Sequence, residues 1–221
     1  MHQERFAADG FTLVPGVLSA AECAALARSA SGAYASVAGN RCVLSQPWCA
    51  ALVPLLRAHE TLSALLSESL AVQCTYFEKS ASLNWLVPIH QDLSIPVAQR
   101  VSHSELRVWS VKEGALFVQP PPPLLERMVA VRVHLDHCAT TDGPLRVVPG
   151  SHLSGIVPSH VAVAARSREV VCAAERGSAL AIRPLLLHSS SKANGSSLRR
   201  VLHFLFGPPE LPYGLSWQSA V

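Results

Sequence analysis

Three residues in two distant stretches have the types and spacing of a divided metal site. His90 and Asp92 flank Gln91, and a lone His188 lies far downstream. Two histidines and one carboxylate form the 2-His-1-carboxylate set, which holds one face of a non-haem Fe(II) and leaves positions open for a cosubstrate and dioxygen. Arg199, shortly after the second histidine, offers a planar, permanently charged fork for an anionic cosubstrate. The chemistry such a set supports is that of an oxygenase.

On a strand, residues i and i+2 share a face, so His90 and Asp92 can reach one ion while Gln91 points away. The H-x-D pattern alone is weak. A second one, His134-Leu135-Asp136, lies in a strand-like run that also precedes His188, and His103-Ser104-Glu105 is an H-x-E. Periodicity does not choose among them, and each also reads as a partly exposed histidine beside a loop carboxylate. His188 follows Pro184-Leu185-Leu186-Leu187, read as an apolar strand that delivers it into the interior. A buried neutral histidine with a hydrogen-bonded ring is the bland alternative. Ser189 to Ser197 reads as a loop, and Arg199 opens the next β-like run. A strand, a loop and a returning strand would bring Arg199 beside the metal; otherwise it is a surface arginine.

The elements that must position these residues follow from the surrounding pattern. Phe11 to Val14, between Gly10 and Pro15, predicts a short strand. Ser19 and Glu22 have capping-box spacing and open an alanine-rich helix to about Ser31. A second helix is expected from Pro54 to about Ser67, with Leu55, Leu56, Leu62, Leu65 and Leu66 on roughly one face. After about residue 70 the texture becomes β-prone. Short apolar runs occur at Val72 to Phe77, Leu86 to Ile95, Val129 to Leu135, Leu145 to Val148, Ala179 to Ile182 and Val201 to Phe206. Many short strands with irregular connections fit a sandwich or barrel better than a βαβ alternation. Pro120 to Pro123 reads as a stiff extended piece on the surface or over a cavity mouth.

Composition narrows the classes. A chain of 221 residues fits one domain with a real core, and 49% apolar with 15% charged residues argues against disorder. The net charge of +3 is slight, and Arg199-Arg200 is the sole adjacent basic pair, which argues against a nucleic-acid partner. No apolar run has the length of a membrane span, and the N-terminus lacks the signature of a signal peptide. Six cysteines without a C-x-x-C pair read as free thiols in a reducing cytosol, so a cytoplasmic location is expected.

Several segments together resemble one family. They are Tyr76 to Lys79, Asn84-Trp85-Leu86-Val87-Pro88-Ile89-His90-Gln91-Asp92, Trp109 to Gly114, Arg132 to Asp136, Asp142-Gly143-Pro144-Leu145-Arg146-Val147-Val148-Pro149-Gly150-Ser151-His152, and Leu187-His188 through Arg199 to His203. In order and content this chain resembles the phytanoyl-CoA dioxygenase family of Fe(II)- and 2-oxoglutarate-dependent oxygenases. The resemblance implies a mainly β fold with flanking helices: a double-stranded β-helix, or jelly roll, of the cupin kind. One domain, 1–221, would hold a helical buttress to about residue 70 and a jelly-roll core from about 70 to 206.

The resemblance further implies that His90, Asp92 and His188 ligate the iron and that Arg199 pairs with the far carboxylate of 2-oxoglutarate. Ser190 resembles a serine that touches the cosubstrate in some members, and Thr75 sits where members line the same pocket. It gives His134 and Asp136 no metal role. Members often carry Trp near position 132, where this chain has Arg132; whether a second cation reaches the cosubstrate is left open. The implied activity consumes 2-oxoglutarate and O2, releases succinate and CO2, and hydroxylates or otherwise oxidises an unactivated C–H bond of a small-molecule substrate. Halogenation needs the carboxylate ligand missing, and Asp92 argues against it. The competing readings are a cupin-like metal-binding protein or metalloenzyme that does not use 2-oxoglutarate, opposed by Arg199 and Ser190, and a noncatalytic scaffold, opposed by the intact ligand set. No long basic cluster awaits a CoA phosphate, which favours a small metabolite over an acyl-CoA.

Overall fold

The computed structural model describes residues 2–34, 39–66, 68–194 and 198–221. Helix α1 (His2–Asp9) leads into strand β1 (Phe11–Val14) and helix α2 (Ala20–Tyr34). Then come β2 (Gly39–Asn40) and three short helices, α3 (Pro47–Ala50), α4 (Leu52–Ala58) and α5 (Glu60–Leu66). Strands β3 (Leu70–Lys79), β4 (Val87–His90), β5 (Ile95–Val97), β6 (Arg107–Lys112) and β7 (Ala115–Gln119) follow. Helix α6 (Pro122–Glu126) precedes β8 (Val129–His134) and β9 (Leu145–Val147). After α7 (Ser159–Ala164) come the last four strands, β10 (Val170–Cys172), β11 (Ala179–Ile182), β12 (His188–Ser190) and β13 (Arg199–Gly207).

The named strands pair antiparallel in three sheets: six strands in the order β1-β11-β8-β13-β3-β2, four in the order β10-β9-β12-β4, and three in the order β5-β7-β6. This is a jelly roll with flanking helices. The six-stranded sheet is buried on both faces. Its outer face (Cys74, Tyr76, Val131, Val133, Leu202, Phe204, Phe206) packs with Phe6 and with Leu56, Leu62 and Leu66 of the helical layer. Each such large side chain contributes roughly 1.5–3 kcal/mol by leaving water. Its inner face (Ala130, Leu180, Ile182, Leu205) meets Leu145 and Val147 of the four-stranded sheet.

Local chemistry explains most elements. At α2 the Ser19 N–H donates to Glu22 Oε2 at 2.7 Å and the Glu22 N–H to Ser19 Oγ at 3.3 Å, the reciprocal bonds of a capping box. The helix continues to Tyr34, past the expected end. The single helix expected from Pro54 to Ser67 is instead α4 and α5, and Ser67 lies outside the described residues. His59 leaves the helical region at φ −69°, ψ 125°, and the chain bends by 98° between Pro47–Ala58 and Glu60–Leu66. The bend lets Leu52, Val53 and Leu56 share one core with Leu62 and Leu66. Leu55, expected on the apolar face, is 48% exposed. The proline run is extended only to Pro121. Pro122 and Pro123 form the first turn of α6, where a missing N–H costs nothing. Pro184 to Leu187 is a turn rather than a strand, and β12 begins at His188 itself. All six cysteines are free thiols, Cys42 exposed and the rest buried. No single described helix is long and apolar enough to cross a membrane; the apolar α3–α5 stretch qualifies only as the bent pair above.

Candidate metal centre

His90 closes β4 and His188 opens β12, and antiparallel pairing sets the two opposite each other in register. Their ring centroids are 4.3 Å apart. Asp92 lies beyond the end of β4, so same-face alternation along a strand is not what turns it inward. Its N–H donates to the Pro184 carbonyl at 2.9 Å, tying it to the segment that leads into His188. Asp92 Oδ1 is then 3.7 Å from His90 Nε2, and Oδ2 is 3.6 Å from His188 Nε2. One ligand atom from each residue lies within 4.8 Å of the others, the one such group of three among the described residues.

Both rings are oriented by carbonyls. His90 Nδ1 donates to the Pro88 oxygen at 2.8 Å and His188 Nδ1 to the Leu186 oxygen at 2.9 Å. A carbonyl can only accept, so these bonds assign the proton to Nδ1 and leave the Nε2 lone pairs facing Asp92. Two lone pairs and a carboxylate converging on one space suit a cation between them, with backbone partners fixing the tautomer. A divalent metal fits this donor set. Burial opposes ionisation of Asp92, but positive charge facing it, on the His188, His90 and His203 rings when they are protonated, holds it well below the usual carboxylate range. Burial pushes His188 down, which keeps it neutral, the ligating form.

Gln91 points away, as expected, and is itself anchored. Its Nε2 donates to the Gly155 and Leu185 carbonyls at 2.7 and 2.6 Å, and its Oε1 accepts from the Val157 N–H at 2.8 Å. These bonds pin the peptide between the two ligands. The other candidate pairs do not join the centre. Asp136 is engaged by Arg200, whose Nε and Nη2 each donate to it at 2.8 Å. His134 lies on the inner face of β8, and burial pushes it down to about 3. His103 and Glu105 are exposed in a loop.

Arg199, Ser190 and Thr75 line the same cavity as the triad, a space of about 400 Å³. Register explains why: Arg199 pairs with Lys79, and His203 with Thr75 on one side and Arg132 on the other. Alternation then sets Arg199, Val201 and His203 of β13 on the inner face, beside Thr75, Phe77 and Lys79 of β3. Arg199 is 3% exposed, and its Nη1 donates to the Gly143 carbonyl at 2.5 Å. Ser190 Oγ donates to the same oxygen at 3.0 Å and accepts from Lys79 Nζ at 2.6 Å. Gly143 has φ +65°, and a Cβ there would collide with the Ser191 carbonyl oxygen. Sequence reasoning missed Lys79, His203 and the anchoring bonds of Gln91. Counting by twos from Thr75 and from Arg199 reaches Lys79 and His203, so that signal was present. Part of the loop read as Ser189 to Ser197, residues 195–197, lies outside the described residues; Ser189 and Ser190 belong to β12.

A jelly roll that sets two carbonyl-oriented histidines and a carboxylate beside an arginine-walled cavity defines a cupin-type non-haem metal fold. More narrowly, the chain belongs to the phytanoyl-CoA dioxygenase family, whose model matches residues 6–201. Solved structures share the fold at low identity. The non-heme alpha ketoglutarate dependent epimerase SnoN from nogalamycin biosynthesis aligns at TM-score 0.70 and 17% identity, over 97% of this chain and 84% of that one. EctD from S. alaskensis, an apoform, aligns at TM-score 0.71 and 17% identity, over 98% and 81%. HygX from Streptomyces hygroscopicus, with nickel and 2-oxoglutarate bound, aligns at TM-score 0.64 and 17% identity, over 96% and 88%. A comparison with curated protein sequences finds no match.

Proposed function

We propose that the chain is one Fe(II)- and 2-oxoglutarate-dependent oxygenase domain acting on a small molecule. His90, Asp92 and His188 ligate the iron, Arg199 receives the far carboxylate of 2-oxoglutarate, and Ser190 and Thr75 line its berth. The observation that carries this reading is the convergence of two Nε2 lone pairs and one carboxylate in a cavity whose wall includes a buried arginine. Family membership supports it, as do HygX with its nickel and 2-oxoglutarate and SnoN crystallised with Fe3+, alpha ketoglutarate and nogalamycin RO. Bound there, iron and O2 would couple decarboxylation of 2-oxoglutarate to oxidation of an unactivated C–H bond, with release of succinate and CO2.

The chain's own residues supply binding and orientation. Pro88 and Leu186 hold the histidine tautomers, Gln91 fixes the peptide between His90 and Asp92, and Gly143 aims Arg199 and Ser190. Hydroxylation is the outcome favoured here; the likeness to an epimerase supports stereochemical inversion at a C–H centre as the second reading. The test is anaerobic loading with Fe(II) and 2-oxoglutarate, then exposure to O2. A weak visible charge-transfer band and slow succinate release without substrate are expected. Full iron loading with neither signal would promote the alternative, a cupin-like metalloprotein that does not use 2-oxoglutarate.

A further inference from the structure

The cavity wall carries more positive charge than one arginine supplies. Arg132 reaches it from β8 and is 7% exposed. Its Nη1 donates to His203 Nδ1 at 3.3 Å, and its guanidinium lies 5.5 Å from the centre of the Phe77 ring. Its Nε is buried without a partner, and so is the Nε of Arg199. Among the described residues, the carboxylates that pair with arginines serve Arg41, Arg166 and Arg200, not these two. Arg199 has the Gly143 carbonyl, the Cys138 thiol and the field of Asp142. Burial and then Arg199 push Arg132 down to about 10 against the opposing field of Asp92, so it is still charged at neutral pH.

Two like charges buried side by side are costly, and a shared anion offsets that cost. Their placement suits one carboxylate. Phe77 pairs with Val201, so the Arg132 guanidinium, leaning over Phe77, sits one same-face step along β13 from Arg199. A 2-oxo diacid held at the triad by its keto end would extend its other end toward this wall.

We propose that Arg132 is a second carboxylate-binding arginine, which with Arg199 clamps the distal carboxylate of 2-oxoglutarate; this rests on the function proposed above. The clamp belongs to this chain's own residues, in a position where tryptophan is often found in the family resemblance. It gives a selectivity for 2-oxo diacids over 2-oxo monoacids that is stronger than one arginine provides, because a second charge-assisted pair is lost when the distal carboxylate is missing.

The experiment titrates anaerobic Fe(II)-loaded protein with 2-oxoglutarate and with 2-oxopentanoate, which keeps the chelating end and lacks the distal carboxylate. Binding is read by calorimetry and by the charge-transfer band. Arg132→Met and Arg199→Met should each weaken 2-oxoglutarate on the order of ten- to a hundredfold. Both should leave 2-oxopentanoate nearly unchanged, and the double variant should no longer distinguish the two acids. Arg132→Lys should recover part of the preference. Unliganded Arg132→Met should melt at or above the wild-type temperature, since a buried charge with no carboxylate in an ion pair has been removed. Wild-type preference in Arg132→Met, alongside lost preference in Arg199→Met, overturns the clamp and assigns Arg132 to another anion, such as a substrate carboxylate. Equal weakening of both acids with a lower melting temperature also overturns it and marks a structural arginine. A wild-type protein that binds iron and neither acid instead removes the proposed function itself.

Discussion

Two H-x-D pairs in this chain begin on the last residue of a strand, His90 of β4 and His134 of β8, and their carboxylates meet opposite fates. Asp92 is turned by the Pro184 carbonyl toward two imidazoles, whereas Asp136 accepts a bidentate bond from Arg200. Asp92→Ala is therefore expected to lower iron affinity, because it removes the sole anion of the set, and to abolish succinate formation. Asp136→Ala leaves Arg200, with a side chain 17% exposed, without its carboxylate and with only the Ser31 hydroxyl still bonded to its side chain. That change should cost on the order of 3 kcal/mol of stability while the folded protein keeps its iron. Metal analysis of desalted, folded variants checks both. Iron retained by Asp92→Ala and lost from folded Asp136→Ala would put the centre elsewhere.

At the scale of elements, the cavity depends on how the loop before β9 meets the loop after β12. Gly143 lies against Ser191, and its carbonyl serves both Arg199 and Ser190. An alanine there meets strain at positive φ and displaces the Ser191 backbone, a cost of about 1–3 kcal/mol. Gly143→Ala should lower the melting temperature and weaken 2-oxoglutarate binding while sparing iron, because His90, Asp92 and His188 take no bond from Gly143. Loss of iron in parallel with loss of 2-oxoglutarate would show that the two halves of the site are not separable in this way. The bend at His59 is a second case of an element decided by packing. Its helices carry leucines that meet one core only when the chain turns.

For the whole molecule, the six-stranded sheet separates a dry helical core from a polar cavity, and the buried ionisable groups on its inner face make stability depend on pH. His134 and His203 are each pushed down to about 3 by burial, against about 6.5 in an unfolded chain. Between those values the unfolded chain binds protons that the folded one does not, so stability falls as pH drops from 6.5 toward 3. Each histidine contributes a slope of up to about 1.4 kcal/mol per pH unit. Lys79, lowered to about 7 by burial and by Arg199 and Arg132, makes stability rise between pH 7 and its unfolded value of 10.5. Cys172, on β10 of the four-stranded sheet and raised to about 12 by burial, opposes this above pH 9. Metal-free protein should thus melt higher at pH 8 than at pH 5, and His134→Gln should flatten the acid side. An unchanged acid slope in a folded His134→Gln would show that this histidine is not buried neutral.

The sequence by itself carried local instructions: the Ser19–Glu22 cap, the short β-prone runs, and the ligand types at His90, Asp92 and His188. It also carried the family signature from Asp142 to His152, from which the jelly roll and the roles proposed for Arg199, Ser190 and Thr75 followed. These were legible because capping, strand periodicity and long motifs are properties of neighbouring residues. Alternation in Val129 to His134 was legible too, but β8 is buried on both sides, so Arg132 faces the cavity and His134 the interior rather than water. Only the tertiary structure decided which H-x-D meets His188, because strand pairing across the chain sets that register. It alone brought Lys79, Arg132 and His203 to the wall with Arg199, since cross-strand neighbours come from segments whose separation in sequence carries no distance information.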